Sequence, residues 1–536
     1  MRATIEFIDM DREELNQLVQ HASASLSAEE QRKLKGLVEA LSYLTDLVAD
    51  QKTTIHDLRR LLFPASTEKT VAVLKQAGIE GAAQSGDKQA PQKPGKREPK
   101  APGHGRNGAE DYRNPRRVTV LHTSLKHGDR CPGCLKGKLY KQQEPRLLVR
   151  IVGQAPLTAT VYELQRLRCN LCGEVYSADA PEGVGEDKYD ESAAAMIAQL
   201  KYGTGMPFYR LEHLEQNLGI PLPTSTQWEI VEEGAELIKP ARDELIRQAA
   251  QGEVLHNDDT SMRVLALRRA IAEEDGERTG IFTSGVVSTA EGHKIALFFT
   301  GRQHAGENLA NVLKRRAAEL PTPIQMSDAL SRNAPKPIKL LVGHCLAHGR
   351  RQFVQITPNF PEQCRHVLEA LGEVYYQDRL ARERGLSRIE RLHFHQQHSK
   401  PVMDDLHQWL EAQLDEHHVE PNSGLGKAIS YMLRHWQALT LFLREPGAPL
   451  DNNLVERALK KAILHRKNSL FYKTLNGADV GDLYMSLIHT CELNDVNPFE
   501  YLTELQRHTE ELAAKPADWM PWNYQLVLER SLPKVS

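Results

Sequence analysis

Three acidic residues in distant parts of the sequence could bind metal ions together. Asp258 lies in the stretch "HNDDTSMRV", Asp328 follows the apolar stretch "TPIQMS", and Glu456 lies in "PLDNNLVERALKKAILHRKNSLF". A carboxylate on a central strand is unfavourable unless its charge is compensated, and a divalent cation such as Mg²⁺, which prefers oxygen ligands, is the usual compensation. Two such cations can activate a nucleophile and stabilise a leaving oxygen at a phosphodiester. Taken singly, each acid could instead be a solvated residue or a helix cap.

The residues around the first two acids predict strands. Stretches rich in β-branched residues and leucine predict strands in "GEVLHNDDTSMRVLAL", "TGIFTSGVVST" and "HKIALFFTG", a helix in "NLANVLKRRAAEL", and a short strand that leads into Asp328. The order is three strands, a helix and a fourth strand, with acids on the first and fourth strands. This order predicts a ribonuclease-H-like α/β core in residues 251–340.

The third acid is predicted to lie on a helix. If a helix begins at Asn452, then Asp451 is its N-cap, and Asn452 can orient Glu456 because residues four apart share a helix face. Basic residues of the same helix could hold DNA phosphates: Arg457, Arg466 and Lys467. The alternative is a surface amphipathic helix whose charges face solvent.

Two pairs of cysteines have the spacing of a zinc site. They are Cys131 and Cys134 in "CPGC", and Cys169 and Cys172 in "CNLC". Four thiolates with strand-rich sequence between the pairs predict one tetrahedral Zn²⁺ in a zinc-ribbon domain at 119–185. Because four protein ligands leave no open position, this Zn²⁺ is predicted to be structural. Redox chemistry is the alternative, but it needs only one such pair.

The N-terminal part of the chain predicts a module for self-association. Apolar residues recur from Leu34 to Leu62 at alternating spacings of three and four, which predicts a coiled-coil helix in the helical region 1–81. We expect residues 30–63 to drive self-association, although an amphipathic helix packed on its own domain would have a similar pattern.

Two further segments before the core predict contact with DNA. Residues 82–118 are rich in proline, glycine and lysine, so they predict a basic flexible linker that either slides along DNA or is a solvated tether. Residues 186–250 predict helices separated by a turn, with Thr224 to Thr226 as an N-cap. That pattern resembles a helix-turn-helix, but it is also typical of other helical hairpins.

Length and composition indicate a protein of several domains. The 536 residues exceed what one hydrophobic core usually supports, and the class predicted is multidomain α+β. A net charge of -3 argues against a uniformly basic protein. We find no apolar run of membrane-spanning length and no signal peptide, and the seven cysteines do not form a disulfide framework. The expected location is a reducing cytoplasm, with no membrane partner.

The ordered set of motifs resembles the transposases of insertion-sequence family 66. The set consists of "LRRLLFPASTEK", the paired C-x-x-C motifs, "HNDDTSMRV", "MSDALSRN", "GHCLAHGRRQF", "PLDNNLVERALK", "HRKNSLF" and "SLIHTCELNDVNPFEYL". These motifs follow the family's order from about Leu58 to Leu502. The resemblance implies a DDE transposase core in which Asp258, Asp328 and Glu456 bind two Mg²⁺.

Two positions depart from the family pattern. The family usually has Asp-Glu-Thr where this chain has Asp258, Asp259 and Thr260, so Asp259 is an alternative ligand, although alignment on the threonine favours Asp258. Lys460 and Lys461 replace the usual arginine-proline pair and keep a positive charge.

A helical insertion is expected between the second and third acids. Residues 341–448 are mainly helical by pattern, the core is expected to resume at 449–480, and a helical region follows at 481–536. The insertion is expected to begin near Cys345, and "CLAHGRR" places Cys345 and His348 on one helical face. Related DDE enzymes carry a similar pair near the active site, which implies a structural or DNA-positioning role. A buried cysteine and a satisfied histidine are the default interpretation.

Together these inferences predict a DNA transposase that recognises the ends of its element. It would use two Mg²⁺ to hydrolyse a phosphodiester and then transfer the freed 3′-hydroxyl into target DNA. Expected partners are double-stranded DNA, further copies in a homodimer or larger oligomer, and helper proteins of the same element, in a bacterial cytoplasm and at the nucleoid when DNA is bound. The rival functions are a nuclease that cuts without joining and a non-catalytic DNA-binding regulator derived from a transposase.

Overall fold

The computed structural model describes residues 117–140, 148, 150–172, 174–185, 187–273, 278–335 and 338–531, together with Thr70 and Val73. The chain forms two compact units. Of the described residues, unit 1 contains Thr70, Val73, 346–439 and 443–446, and unit 2 contains the others. The predicted coiled coil lies outside the described residues, as does the basic linker apart from residues 117 and 118.

The described residues between 117 and 185 in unit 2 contain one short antiparallel hairpin. Its strands are β1 (Arg166–Arg168) and β2 (Val175–Ser177), and both are exposed along their whole length. The sequence therefore predicts more strand in this segment than the structure has, because the described residues from 150 to 165 form no strand. A two-stranded hairpin alone buries too little apolar surface to be stable in water.

A five-stranded mixed sheet lies at the centre of unit 2. Its strands are β3 (Val254–Ser261), β4 (Phe282–Ala290), β5 (His293–Gly301), β6 (Ile324–Ser327) and β7 (Leu341–His344). The spatial order is β5-β4-β3-β6-β7, in which β3, β6 and β7 are parallel and β4 is antiparallel to both neighbours. The class is thus α+β with a mixed sheet, and the strand predicted in "HKIALFFTG" is confirmed.

Five α-helices lie before β3 or between the strands β3 and β6 in the described sequence of unit 2. They are α1 (Glu191–Ala198), α2 (Phe208–Asn217), α3 (Thr224–Ala250), α4 (Leu265–Glu273) and α5 (Ala305–Leu313). Two local predictions are wrong. The N-cap of α3 is Pro223 rather than a threonine or serine, and residues 265–267, expected in a strand, begin α4.

Unit 1 is helical. Its helices are α6 (Leu346–Ile356), α7 (Pro361–Glu383), α8 (Arg388–Asp415), α9 (Gly424–Arg434) and α10 (Trp436–Leu439). The prediction started this helical segment at 341, but the first four residues of that range form β7 and pair with β6. Within unit 1, α7 and α8 are joined by a partly buried ion pair in which Arg391 donates to Asp378 at 2.7 Å.

The chain returns to unit 2 with its last helices. They are α11 (Asn453–Ser469), α12 (Leu475–Leu493), α13 (Pro498–Arg507), α14 (Thr509–Ala514) and α15 (Tyr524–Ser531). Helix α11 covers the middle of the sheet, where a Cβ atom on Gly285 of β4 would approach Val455 and Leu459 to about 3.1 and 3.0 Å. Glycine at this position therefore allows the close approach of α11.

Helix α12 completes the hydrogen bonding of the edge strand β5. The backbone N–H groups of Ala296, Phe298 and Thr300 donate to the side chains of Thr490, Ser486 and Asp482 at 3.0, 3.0 and 2.5 Å. Two residues of a strand and four residues of a helix both span about 6 Å, so the two periods match. Side chains of α12 thus cover an edge that would otherwise expose unpaired donors.

None of the helices in the described part of the chain combines the length and apolar character needed to cross a lipid bilayer.

Candidate active site

Asp258 and Asp328 lie together at the ends of neighbouring parallel strands. Strands β3 and β6 pair Val254 with Ile324 and His256 with Met326, and the same register continued by two residues places Asp258 beside Asp328. Both side chains are half-buried. The tertiary structure therefore brings together two of the three predicted acids at one edge of the sheet.

One amide group joins the two carboxylates. Nδ2 of Asn333 donates to Oδ1 of Asp258 at 3.2 Å and to Oδ1 of Asp328 at 2.5 Å. Each Oδ1 also accepts a backbone N–H, from Asp259 at 2.8 Å and from Leu330 at 3.1 Å. Neither Oδ2 has a hydrogen-bond partner among the residues that the structure describes. One oxygen of each acid is thus held by the protein, and the other is open to a ligand.

Asn333 itself is firmly anchored. It is fully buried, and its backbone carbonyl accepts from Nδ2 of Asn257 at 2.8 Å and from Nε2 of Gln325 at 2.7 Å. Gln325 also donates to Oδ1 of Asn257 at 2.8 Å. These bonds tie the loop after β6 to β3, so the positions of the two acids are coupled through buried polar groups.

The electrostatics of the pair favour a bound cation. Burial raises the pKa of Asp258 to about 6, and the charge of Asp328 adds to the rise, while hydrogen bonds from Asp259 and Asn333 oppose it. Two neighbouring carboxylates resist a second negative charge unless a cation lies near them. Two open carboxylate oxygens are ligands of the type that Mg²⁺ prefers, so the residues fit this ion.

Asp259 faces the opposite side of the sheet. Its side chain is 1% exposed and lies 2.9 Å from Nδ1 of His304 and 3.3 Å from the guanidinium of Arg332. In the antiparallel pairing of β3 with β4, Asp258 is opposite Gly285, whose open side faces α11. Since paired residues point to the same face and neighbours along a strand alternate, Asp258 faces α11 and Asp259 does not.

The helix that carries Glu456 is attached to β3 by Asn452. Asn452 is fully buried. Its Oδ1 lies 3.0 Å from Nδ1 of His256, and its Nδ2 donates to the carbonyl of Asn257 at 3.1 Å. The backbone N–H of Asn452 donates to Sγ of Cys345 at 3.2 Å. The predicted role of Asn452 is therefore wrong, because its side chain binds β3 rather than orienting Glu456. Burial lowers the pKa of His256 to about 4, so this contact is made by a neutral ring.

The start of α11 differs by one residue from the prediction. The helix begins at Asn453 and the N-cap position is Asn452, not Asp451. Asp451 nevertheless accepts the N–H of Asn453 at 3.1 Å, so its carboxylate still satisfies one free donor of the first turn.

Glu456 lies in the first turn of α11 and is half-buried. One of its carboxylate oxygens lies within 4.8 Å of Sγ of Cys345. The three carboxylates of Asp258, Asp328 and Glu456, all within the described residues, do not all lie within 4.8 Å of one another. Glu456 thus lies on the helix that packs on the side of the sheet that Asp258 faces, but the three carboxylates are not gathered into one cluster.

The predicted DNA-binding residues divide into two groups. Arg457 and Lys467 are exposed on α11. Arg466 instead donates to Oγ1 of Thr260 at 3.1 Å and to the backbone and hydroxyl oxygens of Ser261, the latter at 2.7 Å. Arg466 therefore fastens α11 to the end of β3.

Comparison with known proteins identifies the family of the chain. A profile described as the transposase IS66 family matches residues 188–480, which include the five-stranded sheet, the helices of unit 1 and α11. The chain belongs to the IS66 family of transposases. No solved structure matches it.

The similar proteins come from Sinorhizobium fredii (strain NBRC 101917 / NGR234). The IS66-family chain is 27% identical to the uncharacterized protein y4hP over 67% of each chain. It is 26% identical to the uncharacterized protein y4jD over 77% of this chain and 81% of that one. These names add no activity of their own.

The cysteine pairs of this IS66-family transposase lie in two separate turns. Cys134 accepts the N–H of Gly137 at 3.4 Å, and Cys169 and Cys172 lie in the turn between β1 and β2. All four residues are described, but their sulfur atoms do not all lie within 4.8 Å of one another. The zinc site stays a prediction.

The Cys345–His348 pair occupies the point where the chain passes from β7 to α6. Cys345 is fully buried, as the default interpretation expects, and its Sγ accepts the bond from Asn452. His348 lies in the first turn of α6 and is half-buried.

Sequence reasoning missed Asn333, Gln325 and Asn257. An asparagine five residues after a candidate acid is visible in "MSDALSRN". Only the loop conformation shows that its amide reaches both acids.

Proposed function

We propose that this IS66-family protein is an active DDE transposase that cuts the ends of its element and joins them to target DNA. The proposed catalytic core is ribonuclease-H-like, with residues 346–439 as its helical insertion. The observation that carries the proposal is the carboxylate pair. Asp258 and Asp328 share the amide of Asn333, and the Oδ2 atom of each is free to bind a ligand on the side of the sheet that faces α11.

The residues of the triad would hold two Mg²⁺. Asp258 and Asp328 would contribute their open Oδ2 atoms, and Glu456 would contribute its carboxylate from α11. When bound, the cations supply positive charge for a water or 3′-hydroxyl nucleophile and for the leaving oxygen of a phosphodiester. The protein's own contribution is to hold the acids and the DNA in position, which dominates catalysis of phosphoryl transfer.

Exposed cations of α11 would hold the DNA backbone. Arg457 and Lys467, together with Lys460 between them, are exposed and lie on the helix that carries Glu456. Their spacings of three and seven residues keep them on one side of the helix. Phosphate contacts at these positions fix register but do not read sequence. In this proposal Arg466 acts indirectly, since its bonds to Thr260 and Ser261 fix the helix that presents the other cations.

The segment before the helices would recognise DNA as a zinc module. Large apolar side chains are exposed there, including Val120 at 86% and Leu171 at 93%, so the segment has little core of its own. A structural Zn²⁺ bound by Cys131, Cys134, Cys169 and Cys172 would supply the missing stabilisation. Self-association through residues 30–63, double-stranded DNA and helper proteins of the same element complete the proposed assembly.

The test is a cleavage and joining assay with Mg²⁺. The substrates are duplex oligonucleotides that carry each terminus of the insertion sequence encoding this chain, and a supercoiled plasmid is the target. The wild type should cut the ends and join them to the plasmid. Glu456→Gln keeps the shape of the side chain, so end binding in a mobility-shift assay should persist while both reactions fall by orders of magnitude.

Asp451→Asn is the matched control, because it removes an acid from the same segment but keeps a capping oxygen. It should cleave and join at a rate near that of the wild type. Cleavage without joining would indicate a nuclease, and binding without either reaction in the wild type would indicate a regulator. Near-normal joining by Glu456→Gln would exclude Glu456 from the triad.

A further inference from the structure

The amide of Asn333 has a hydrogen-bonding pattern that suits a pair of carboxylates. An amide nitrogen carries two hydrogens, and here it has two carboxylate oxygens as acceptors, at 3.2 and 2.5 Å. The opposite orientation would point the amide oxygen at two negative groups. The assignment of the nitrogen therefore follows from the charges around it.

The side chain of Asn333 is not arranged in the way that would best stabilise the fold. Its Oδ1 is buried and has no hydrogen-bond partner among the described residues. A buried acceptor without a partner destabilises the folded state. The main-chain bonds from Asn257 and Gln325 would remain with a smaller side chain at this position. The side chain contributes chiefly through its contact with the two acids.

We propose that Asn333 is a positioning residue of the metal site: its amide holds Oδ1 of Asp258 and Oδ1 of Asp328 so that both Oδ2 atoms are presented to the divalent cations. Without this amide, each carboxylate keeps one backbone donor, from Asp259 or Leu330, and can rotate independently. Groups that orient metal ligands in this way typically change metal affinity by about 10–100-fold. The inference rests on the proposed metal-dependent function and adds a residue to it.

The test measures Mn²⁺ binding by the full-length protein without DNA, from the electron paramagnetic resonance signal of the free ion. Asn333→Ala should weaken Mn²⁺ binding at the acids about tenfold or more. Asn333→Ser should be intermediate, because one hydroxyl hydrogen can serve only one carboxylate at a time. Asn308→Ala is the matched control, since Asn308 is another buried asparagine of unit 2, and its Nδ2 donates to Ser284 at 2.9 Å rather than to Asp258 or Asp328.

Thermal unfolding separates positioning from a general loss of stability. Asn333→Ala should lower the melting temperature by no more than Asn308→Ala does, whereas only Asn333→Ala should lose Mn²⁺ affinity. In the cleavage assay, Asn333→Ala should need about tenfold more Mg²⁺, with much of the rate recovered at saturation. Mn²⁺ affinity equal to that of Asn308→Ala in both Asn333 variants would overturn the proposal. If Asp258→Asn and Asp328→Asn also bind Mn²⁺ like the wild type, the metal site itself is wrong, which is a different failure.

Discussion

Neighbouring aspartates on one strand have different environments, and this is the decisive difference at the residue scale. Asp258 contacts Asn333 and shares its surroundings with Asp328, whereas Asp259 is enclosed by His304 and Arg332. Alternation along β3 makes these roles exclusive, because only one of two adjacent side chains can face α11.

We expect the two aspartates to respond differently to the same substitution. Asp258→Asn should abolish Mn²⁺ binding at the acids and lower end cleavage by orders of magnitude. Asp259→Asn should keep Mn²⁺ affinity within a few-fold, but it should lower the free energy of unfolding by about 1–3 kcal/mol, because it weakens the bonds of a buried carboxylate to Arg332 and His304. Metal titration and denaturant unfolding of both variants are the measurements. If Asp259→Asn loses the metal and Asp258→Asn keeps it, the first ligand is Asp259.

At the scale of elements, attachment of helices to the sheet positions the site. Asn452 and Arg466 fasten the two ends of α11 to β3, and α12 satisfies the free edge of β5. The hydroxyl of Thr490 accepts from the N–H of Ala296 at 3.0 Å and lies 3.2 Å from the carbonyl oxygen of the same residue.

Thr490→Val tests this edge contact. The substitution keeps the size of the side chain but leaves a buried N–H and carbonyl of Ala296 without their partner, so the free energy of unfolding of unit 2 should fall by about 1–3 kcal/mol. Thr503→Val is the control, because the hydroxyl of the buried Thr503 donates to the carbonyl of Phe499 within its own helix, at 2.8 Å. Denaturant unfolding should show a clearly smaller loss for the control. Equal losses would mean that α12 does not cap the strand edge.

At the scale of the whole molecule, buried ionisable groups make stability depend on pH. Burial raises the pKa of Asp482 to about 7, although hydrogen bonds from Thr300 and the charge of Arg242 oppose the rise. A carboxyl group with a raised folded-state pKa binds protons better in the folded state than in the unfolded state. Its stabilising contribution is complete below about pH 4 and is lost as the pH rises through about 7.

Asp482→Asn should remove this pH dependence. The asparagine can still accept the N–H of Thr300 and has no charge at any pH. The decline in the free energy of unfolding between about pH 4 and 7 should therefore be smaller than in the wild type by about 2–4 kcal/mol. Denaturant unfolding of both proteins across this range is the measurement. Parallel curves for wild type and variant would contradict the assignment.

Assembly is also a property of the whole molecule, and it tests the N-terminal prediction. Replacing Leu41 and Leu44 by aspartate should lower the mass found by light scattering, because charges in a coiled-coil seam disfavour association. Ser42→Asp with Thr45→Asp, outside the seam, is the matched control and should keep the oligomer. An unchanged mass in the leucine variant would place the interface elsewhere.

The sequence alone established the family, the α+β class, the order of acids along the chain, and long elements with a clear period such as β5 and α11. These features are local or follow from ordered motifs, so chain spacing is enough to find them. The tertiary structure decided which of two adjacent aspartates faces α11, that Asn333 joins two acids, and that Asn452 and Arg466 serve as anchors. The partners in these contacts lie 75 residues apart for Asn333 and Asp258, and 195 for Asn452 and Asn257. No local periodicity encodes such distances, because strand order and loop conformation bring these side chains together.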